Sequence, residues 1–261
     1  MSDWIWALII GFVLDLLLGD PSWLYHPVCL IGKYIGWMEK KLRRRGGNLR
    51  KSAVFLTAST VLLTMAFVAL ILMLCGLLGR IPLLIAMALL DWMGIAITSM
   101  AKEARGVEKA LGQGVAAGRT QVARIVGRDT QELREEEIIK ATVETVSENT
   151  TDGVISPLLY AAIGGPILLW GFKAASTLDS MVGYLDEKYR DIGWSSARLD
   201  DVLNYIPARL TALLMVIASY LIGLDGKNAF RIVHRDHANH KSPNCAWSES
   251  AAAGALHIQL G

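Results

Sequence analysis

Charge is what this sequence has little of: 19% of its 261 residues are Asp, Glu, Lys or Arg, against 53% hydrophobic residues, and mean hydropathy is +0.38. That balance excludes an ordinary soluble domain and an acidic disordered chain. Cysteine is sparse too. Cys29, Cys75 and Cys245 are odd in number, widely separated and free of C-x-x-C spacing, which indicates neither a disulfide framework nor a thiolate metal site. No G-x-x-x-x-G-K-[ST] loop and no G-x-G-x-x-G turn is present, so a bound nucleotide is held without the common nucleotide folds. Tandem repeats of the solenoid kind are absent as well.

What is there comes in blocks. Residues 53–79 contain no charged side chain, enough to cross a hydrocarbon layer of about 30 Å at about 1.5 Å per residue. Residues 82–99 are apolar apart from Asp91, an acid that must face protein or water at such a depth. Residues 4–18 resemble a signal peptide in length, but Asp3 replaces the basic leader and Asp15 interrupts the end, so the segment is read as retained. Residues 153–172 lack charge but carry Ser156-Pro157 and Gly164-Gly165-Pro166, which argue for a broken or re-entrant helix. A further apolar stretch covers 210–224. The expected fold is all-α: a single polytopic membrane domain over 1–261 with four to five transmembrane or re-entrant helices and amphipathic helices outside the bilayer. The basic run Lys40, Lys41, Arg43, Arg44, Arg45, Arg50 and Lys51 reads as a cytoplasmic topology anchor. It has none of the aromatic interleaving of a nucleic-acid surface, and no nucleic-acid partner is expected.

Two polar regions, 135–152 and 173–209, carry the candidate chemistry. In the first, Lys140, Glu144, Glu148 and Asp152 recur every four residues, and on a continuous helix the three acids share a face with Asn149 beside them. Oxygen ligands of this kind suit Mg²⁺, which takes one or two carboxylates together with substrate phosphates; a wet helix face paired with Lys140 is the alternative. The second region runs Asp179, then Asp186-Glu187-Lys188, then Arg198, Asp200, Asp201 and Asn204, and ends at Arg209. On a helix Arg198, Asp201 and Asn204 lie on one side, a guanidinium for phosphate beside oxygens for metal. A solvated interfacial helix has the same spacing. His26 is either a ligand contact or a structural hydrogen-bonder. His234, His237 and His240 lack the i,i+4 geometry of a helical zinc pair, which favours a phosphate-binding or structural role for His240.

Taken in order, Gly19-Asp20-Pro21, His26-Pro27-Val28, Val126-Gly127-Arg128-Asp129, the stretch from Glu144 to Pro157, Thr177-Leu-Asp-Ser-Met-Val-Gly-Tyr184, Gly193-Trp194, Ser196 to Asp201, Pro207 to Thr211 and His240 to Asn244 resemble the CobD/CbiB family across essentially the whole chain. The resemblance implies an adenosylcobinamide-phosphate synthase of the prokaryotic cytoplasmic (inner) membrane. In that reaction a carboxylate of adenosylcobyric acid, a corrinoid, is joined to aminopropanol or its phosphate with ATP and Mg²⁺. The expected catalytic residues are Glu144, Glu148, Asp152, Asp179 and Asp201, with Glu148, Asp152, Asp179 and Asp201 as Mg²⁺ ligands. Asn149, Lys188, Arg198, Asn204, Arg209, His26 and His240 are expected to bind substrate or phosphate. Membrane lipid and a second copy of the chain are the expected partners. Members of that family run on past the point where this chain stops at Gly261, and His257 stands where a small residue is expected. A non-catalytic membrane sensor and a transporter are the competing classes; the acidic groups outside the apolar blocks argue against both.

Overall fold

The computed structural model describes residues 3–21 and 23–260, and among them every regular element is helical. In chain order these are α1 (Asp3–Leu18), α2 (Pro27–Arg45), α3 (Leu49–Leu77), α4 (Arg80–Gly94), α5 (Ile97–Leu111), α6 (Val115–Val122), α7 (Glu135–Thr150), a π turn (Thr151–Ile155), α8 (Ser156–Val182), α9 (Trp194–Leu203), α10 (Tyr205–Leu221), α11 (Gly226–Asp236) and α12 (Cys245–Leu256). Among the described residues three helical stretches are long and apolar enough to cross a membrane: Leu49–Leu77, Arg80–Leu111 and Glu135–Val182. The pair Trp194–Leu203 and Tyr205–Leu221 makes a fourth if counted together. At 16 residues α1 falls short of the roughly 20 that a span needs. The chain groups into two compact units, each built from separate segments: unit 1 is 1–96 with 156–204, unit 2 is 97–155 with 205–261.

Unit 1 is organised around large side chains. Ile31, Ile35, Met38 and Leu42 form one stripe of α2 and pack with Leu56 of α3 and with Leu169, Trp170 and Leu178 of α8. The buried indoles are satisfied: Trp170 donates to the Leu90 carbonyl at 3.0 Å and Trp92 to the Gly19 carbonyl at 3.0 Å. At Gly11, α1 runs so close to α4 that a Cβ there would lie 2.8 Å from both the Asp91 Cβ and the Trp92 backbone nitrogen. Asp91 is fully buried beneath that contact, so of the two surroundings expected for it, protein or water, it has protein. The expected interruption of 153–172 is also present: Gly164 is non-helical and Gly165 takes φ +64, a left-handed value that favours glycine, immediately before Pro166.

Unit 2 is built from smaller side chains. Val107, Val122, Ile138 and Ala141 close the contact among α5, α6 and α7. Ala212, Val216, Ala229, Val233, Ala251 and Ala255 close the one among α10, α11 and α12. Asp225 caps α11 by accepting from the Asn228 backbone N–H at 2.8 Å. Asn228 in turn donates to the Gly254 carbonyl at 2.7 Å. A Cβ on Gly254 would lie 2.7 Å from the Ala229 Cα, so only glycine lets α11 and α12 approach this closely.

Candidate functional site

In unit 2, α7 carries Glu144 and Glu148 one turn apart, with Asn149 exposed beside them. At Thr151 the helix widens into the π turn, so Asp152 lies on that turn and not on α7. Glu144 accepts from Arg128 at 2.6 Å, and Glu148 accepts from the Cys245 thiol at 3.1 Å. Glu249, one turn beyond Cys245 on α12, joins this group. Burial, then the nearby Glu148 and Glu144 charges, push its carboxyl up to about 7, with Arg128 opposing. The Cys245 thiol is raised for the same reasons, burial first and Glu148 second, which keeps it protonated and a donor to Glu148. Three carboxylates, one guanidinium and one thiol thus meet in a partly buried cluster where protonation is set by neighbours.

Arg209, on α10, lies against two aromatic rings. Its guanidinium lies 3.5 Å from the Tyr205 ring centroid and 4.7 Å from that of Trp247, and it donates to the Tyr205 carbonyl. Trp247 also meets the His237 ring at 4.4 Å between centroids. His240 is exposed, and its Nδ1 accepts from the Ser242 backbone N–H at 3.0 Å. His237 ends α11, and no group of three or more His, Cys, Asp or Glu among the described residues is arranged to hold a metal ion.

In unit 1, Asp179 sits in the last turn of α8, and Arg198 and Asp201 lie on α9. Arg198 is exposed; Asp179 and Asp201 are half-buried. Asn204 turns inward. It is buried, accepts from the Ser156 hydroxyl at 2.6 Å and donates to Asp200 at 2.9 Å, which ties the start of α8 to the end of α9. His26 caps α2, its Nδ1 accepting from the Val28 N–H at 3.2 Å, and burial lowers its pKa. Lys188 is exposed over Tyr189, and its carbonyl accepts from Arg43 at 2.6 Å. Arg50 meets Asp191 at 3.2 Å. Two members of the basic run therefore pin the 183–193 loop, a job that a topology anchor does not require.

A family model described as CobD/Cbib protein matches residues 8–261. The chain is 51% identical over 256 residues to a protein of Pelobacter propionicus named cobalamin biosynthesis protein CobD, covering 98% of this chain and 79% of that one. A protein of the same name from Listeria monocytogenes is 49% identical, covering 96% and 81%. One named cobalamin biosynthesis protein CbiB, from Salmonella arizonae, is 44% identical, covering 98% and 81%. The chain belongs to the CobD/CbiB family. No solved structure matches it.

The motifs that first suggested the CobD/CbiB family have physical reasons here. A Cβ on Gly183 would strike the Asp179 carboxylate, and one on Gly193 would run into the Val182 carbonyl, so both glycines let the loop fold back on the end of α8. His257 occupies the position after α12 with φ 52, a left-handed conformation that favours glycine, which explains why a small residue was expected there. Its Nε2 lies 3.1 Å from Asp225. Sequence reasoning missed Glu249 and Cys245. The available signal was that Glu249 is the one acid in the alanine-rich stretch CAWSESAAAGAL.

Proposed function

We propose that this chain acts in cobalamin biosynthesis as a multi-pass enzyme of the prokaryotic cytoplasmic membrane, an ATP-dependent ligase joining adenosylcobyric acid to aminopropanol or its phosphate. The observation that carries the reading is the family match over residues 8–261, with relatives at 44–51% identity that are named for cobalamin biosynthesis. The carboxylate cluster of unit 2 supports it, because an acid-rich, partly buried group whose protonation is tuned by neighbours is what handling phosphoryl oxygens and an amine requires.

A carboxylate and an amine do not condense in water without a better leaving group. In this reading a corrin carboxylate oxygen attacks the γ-phosphorus of ATP, the bond to the bridging oxygen breaks, and ADP leaves behind an acyl phosphate. The free amine then attacks the acyl carbon, the carbon–oxygen bond to phosphate breaks, and the proton lost from nitrogen leaves with phosphate. Mg²⁺ bound with the nucleotide supplies charge neutralisation on the phosphoryl oxygens. Glu148 and Asp152 in unit 2, or Asp179 and Asp201 in unit 1, would supply the one or two carboxylates that nucleotide-bound Mg²⁺ takes. Glu144, held by Arg128, keeps that guanidinium next to the cluster, and Arg198 offers a second one in unit 1.

Incubation of the purified protein with ATP, Mg²⁺, the corrinoid acid and aminopropanol phosphate tests this. ADP and an amide are expected, and hydroxylamine added in place of the amine should trap a hydroxamate. AMP and pyrophosphate would replace the acyl phosphate with an adenylate, and amide formation without nucleotide would end the ligase reading.

A further inference from the structure

Where α2 leads into α3 in unit 1, the chain carries charge of almost one sign. From residue 24 to residue 90 the only acid is Glu39, whereas Lys33, Lys40, Lys41, Arg43, Arg44 and Arg45 lie on α2 alone. Glu39 is buried and pairs with Arg43, which also donates to the Lys188 carbonyl. Lys40, Lys41, Arg44 and Arg45 are exposed, and none of the four is in an ion pair among the described residues. Six of the last seven residues of α2 are charged, so this helix does not cross a membrane. It lies on the core instead. Ile31, Ile35, Met38 and Leu42 bury one face, and the opposite face steps through Leu30, Lys33, Trp37, Lys41 and Arg44 at intervals of three or four residues. Leu30 and Trp37 are each 54% exposed on that outer face, and the Lys41 ammonium lies 4.7 Å from the Trp37 ring centroid.

The depth of this face follows from α3. That helix starts at Leu49, has no charged residue from Ser52 to its end, and is long and apolar enough to span. Only Gly46-Gly47-Asn48 separates it from Arg45, so the basic end of α2 stands where a span enters the bilayer, at the level of the lipid headgroups. Anionic headgroups attract each Lys or Arg at that level, and an indole between such cations suits the boundary of headgroup and acyl chain. A second copy of the chain fits worse, since a two-fold contact would set the same cations against one another. We propose that the outer face of α2 is a docking surface for anionic phospholipid, with Lys40, Lys41, Arg44 and Arg45 on the headgroup phosphates and Leu30 and Trp37 at the edge of the acyl region. The inference rests on α3 as a span and is independent of the ligase reading. It divides the basic run by role: Arg43 and Arg50 hold the 183–193 loop, and the four exposed cations hold lipid.

The test uses the full chain, purified in detergent and titrated with phosphatidylglycerol or phosphatidylcholine while native mass spectrometry counts the lipids retained. At low salt the unaltered protein should retain phosphatidylglycerol about tenfold or more over phosphatidylcholine, and the preference should vanish near about 1 M salt, where the screening length falls to about 3 Å. Lys40→Gln/Lys41→Gln/Arg44→Gln/Arg45→Gln should abolish it. Lys102→Gln/Arg105→Gln/Lys109→Gln/Lys227→Gln, an equal loss of charge in unit 2, should leave it intact. Because neutralising a basic run can also invert a protein in the membrane, a second measurement keeps every charge. In nanodiscs that carry either lipid with brominated acyl chains, the anionic one should quench tryptophan emission more, and Trp37→Phe should remove most of that excess. Equal retention of the two lipids by the unaltered protein, an undiminished preference in the α2 variant, loss of it in the unit 2 variant, a quenching excess that Trp37→Phe leaves untouched, or displacement of the lipid by inorganic phosphate would each overturn the assignment. So would a dimer that the α2 substitutions dissociate without changing lipid retention, which would make a second copy the occupant.

Discussion

In unit 1 the fully buried side chains include Trp170, Phe172, Ile35, Leu56 and Leu169, whereas the contact of α10, α11 and α12 in unit 2 is closed by alanines and valines. Large side chains hold helices apart and supply about 1.5–3 kcal/mol each on burial, so the unit 1 core tolerates an apolar exterior and needs few polar ties. Small side chains supply less, but they let backbones approach, as Gly254 does against Ala229. Close approach is what sets Glu249 of α12 beside the α7 carboxylates and leaves a polar-walled cavity along α11. Unit 1 holds by volume and unit 2 by fit, so the two should fail in different ways.

The largest effect is expected from Trp170→Ala, which removes about 3–5 kcal/mol of packing together with the indole's hydrogen bond to the Leu90 carbonyl. Thermal unfolding in detergent reads it, and a shift no larger than that of an alanine change on the exposed face of α3 would refute the volume account of unit 1. Next come Asp152→Asn in unit 2 and Asp179→Asn and Asp201→Asn in unit 1, each expected to lower turnover about a hundredfold with insertion and folding intact. Asp225→Asn and Asp236→Asn serve as references, since those acids cap α11 and pair with Arg235. Equal activity in all five would remove the carboxylate assignment.

Gly254→Ala should cost about 1–3 kcal/mol by forcing α11 and α12 apart, while an alanine at Gly36, which faces open space in unit 1, should cost nothing measurable. Tolerance at Gly254 would contradict the fit account. A smaller, pH-dependent effect belongs to Glu249. Its folded pKa of about 7 lies above the ordinary carboxylate value, so the folded state binds the proton more tightly than the unfolded chain; the resulting stability is present at acid pH and is lost as pH rises through about 7. Glu249→Gln should therefore raise the unfolding temperature by a few degrees at pH 8 and leave it unchanged at pH 4, and a shift equal at both would exclude the electrostatic cause. The smallest effect is His257→Gly, which relieves a left-handed residue but gives up the Asp225 pair; a net change within about 1 kcal/mol is expected.

How much of this was legible depended on distance along the chain. A charge-free run such as 53–79 has no stable alternative to a helix that satisfies its own backbone, and α3 follows, with Asn48 capping it through Arg50 and Lys51 at 3.0 and 3.2 Å. Gly164-Gly165-Pro166 broke α8 where the residue chemistry said it must, because a proline without an N–H follows a glycine free to take positive φ. The acids of α7 were visible as a four-residue repeat, but not the π turn that carries Asp152, since a widened turn leaves no mark in spacing.

What the sequence by itself determined was the helical class, the apolar blocks, the break in α8 and the candidate acids, all consequences of residues within a few turns of one another. Only the tertiary structure decided their partners. It turned Asn204 inward to Ser156, spent His26 on a helix cap and used Arg43 and Arg50 to hold a loop. It also brought Cys245 to Glu148 across 97 positions and set Glu249 beside them. Periodicity reports which face of a helix is polar, but the neighbour of that face is fixed by how closely the side chains of other helices allow it to pack.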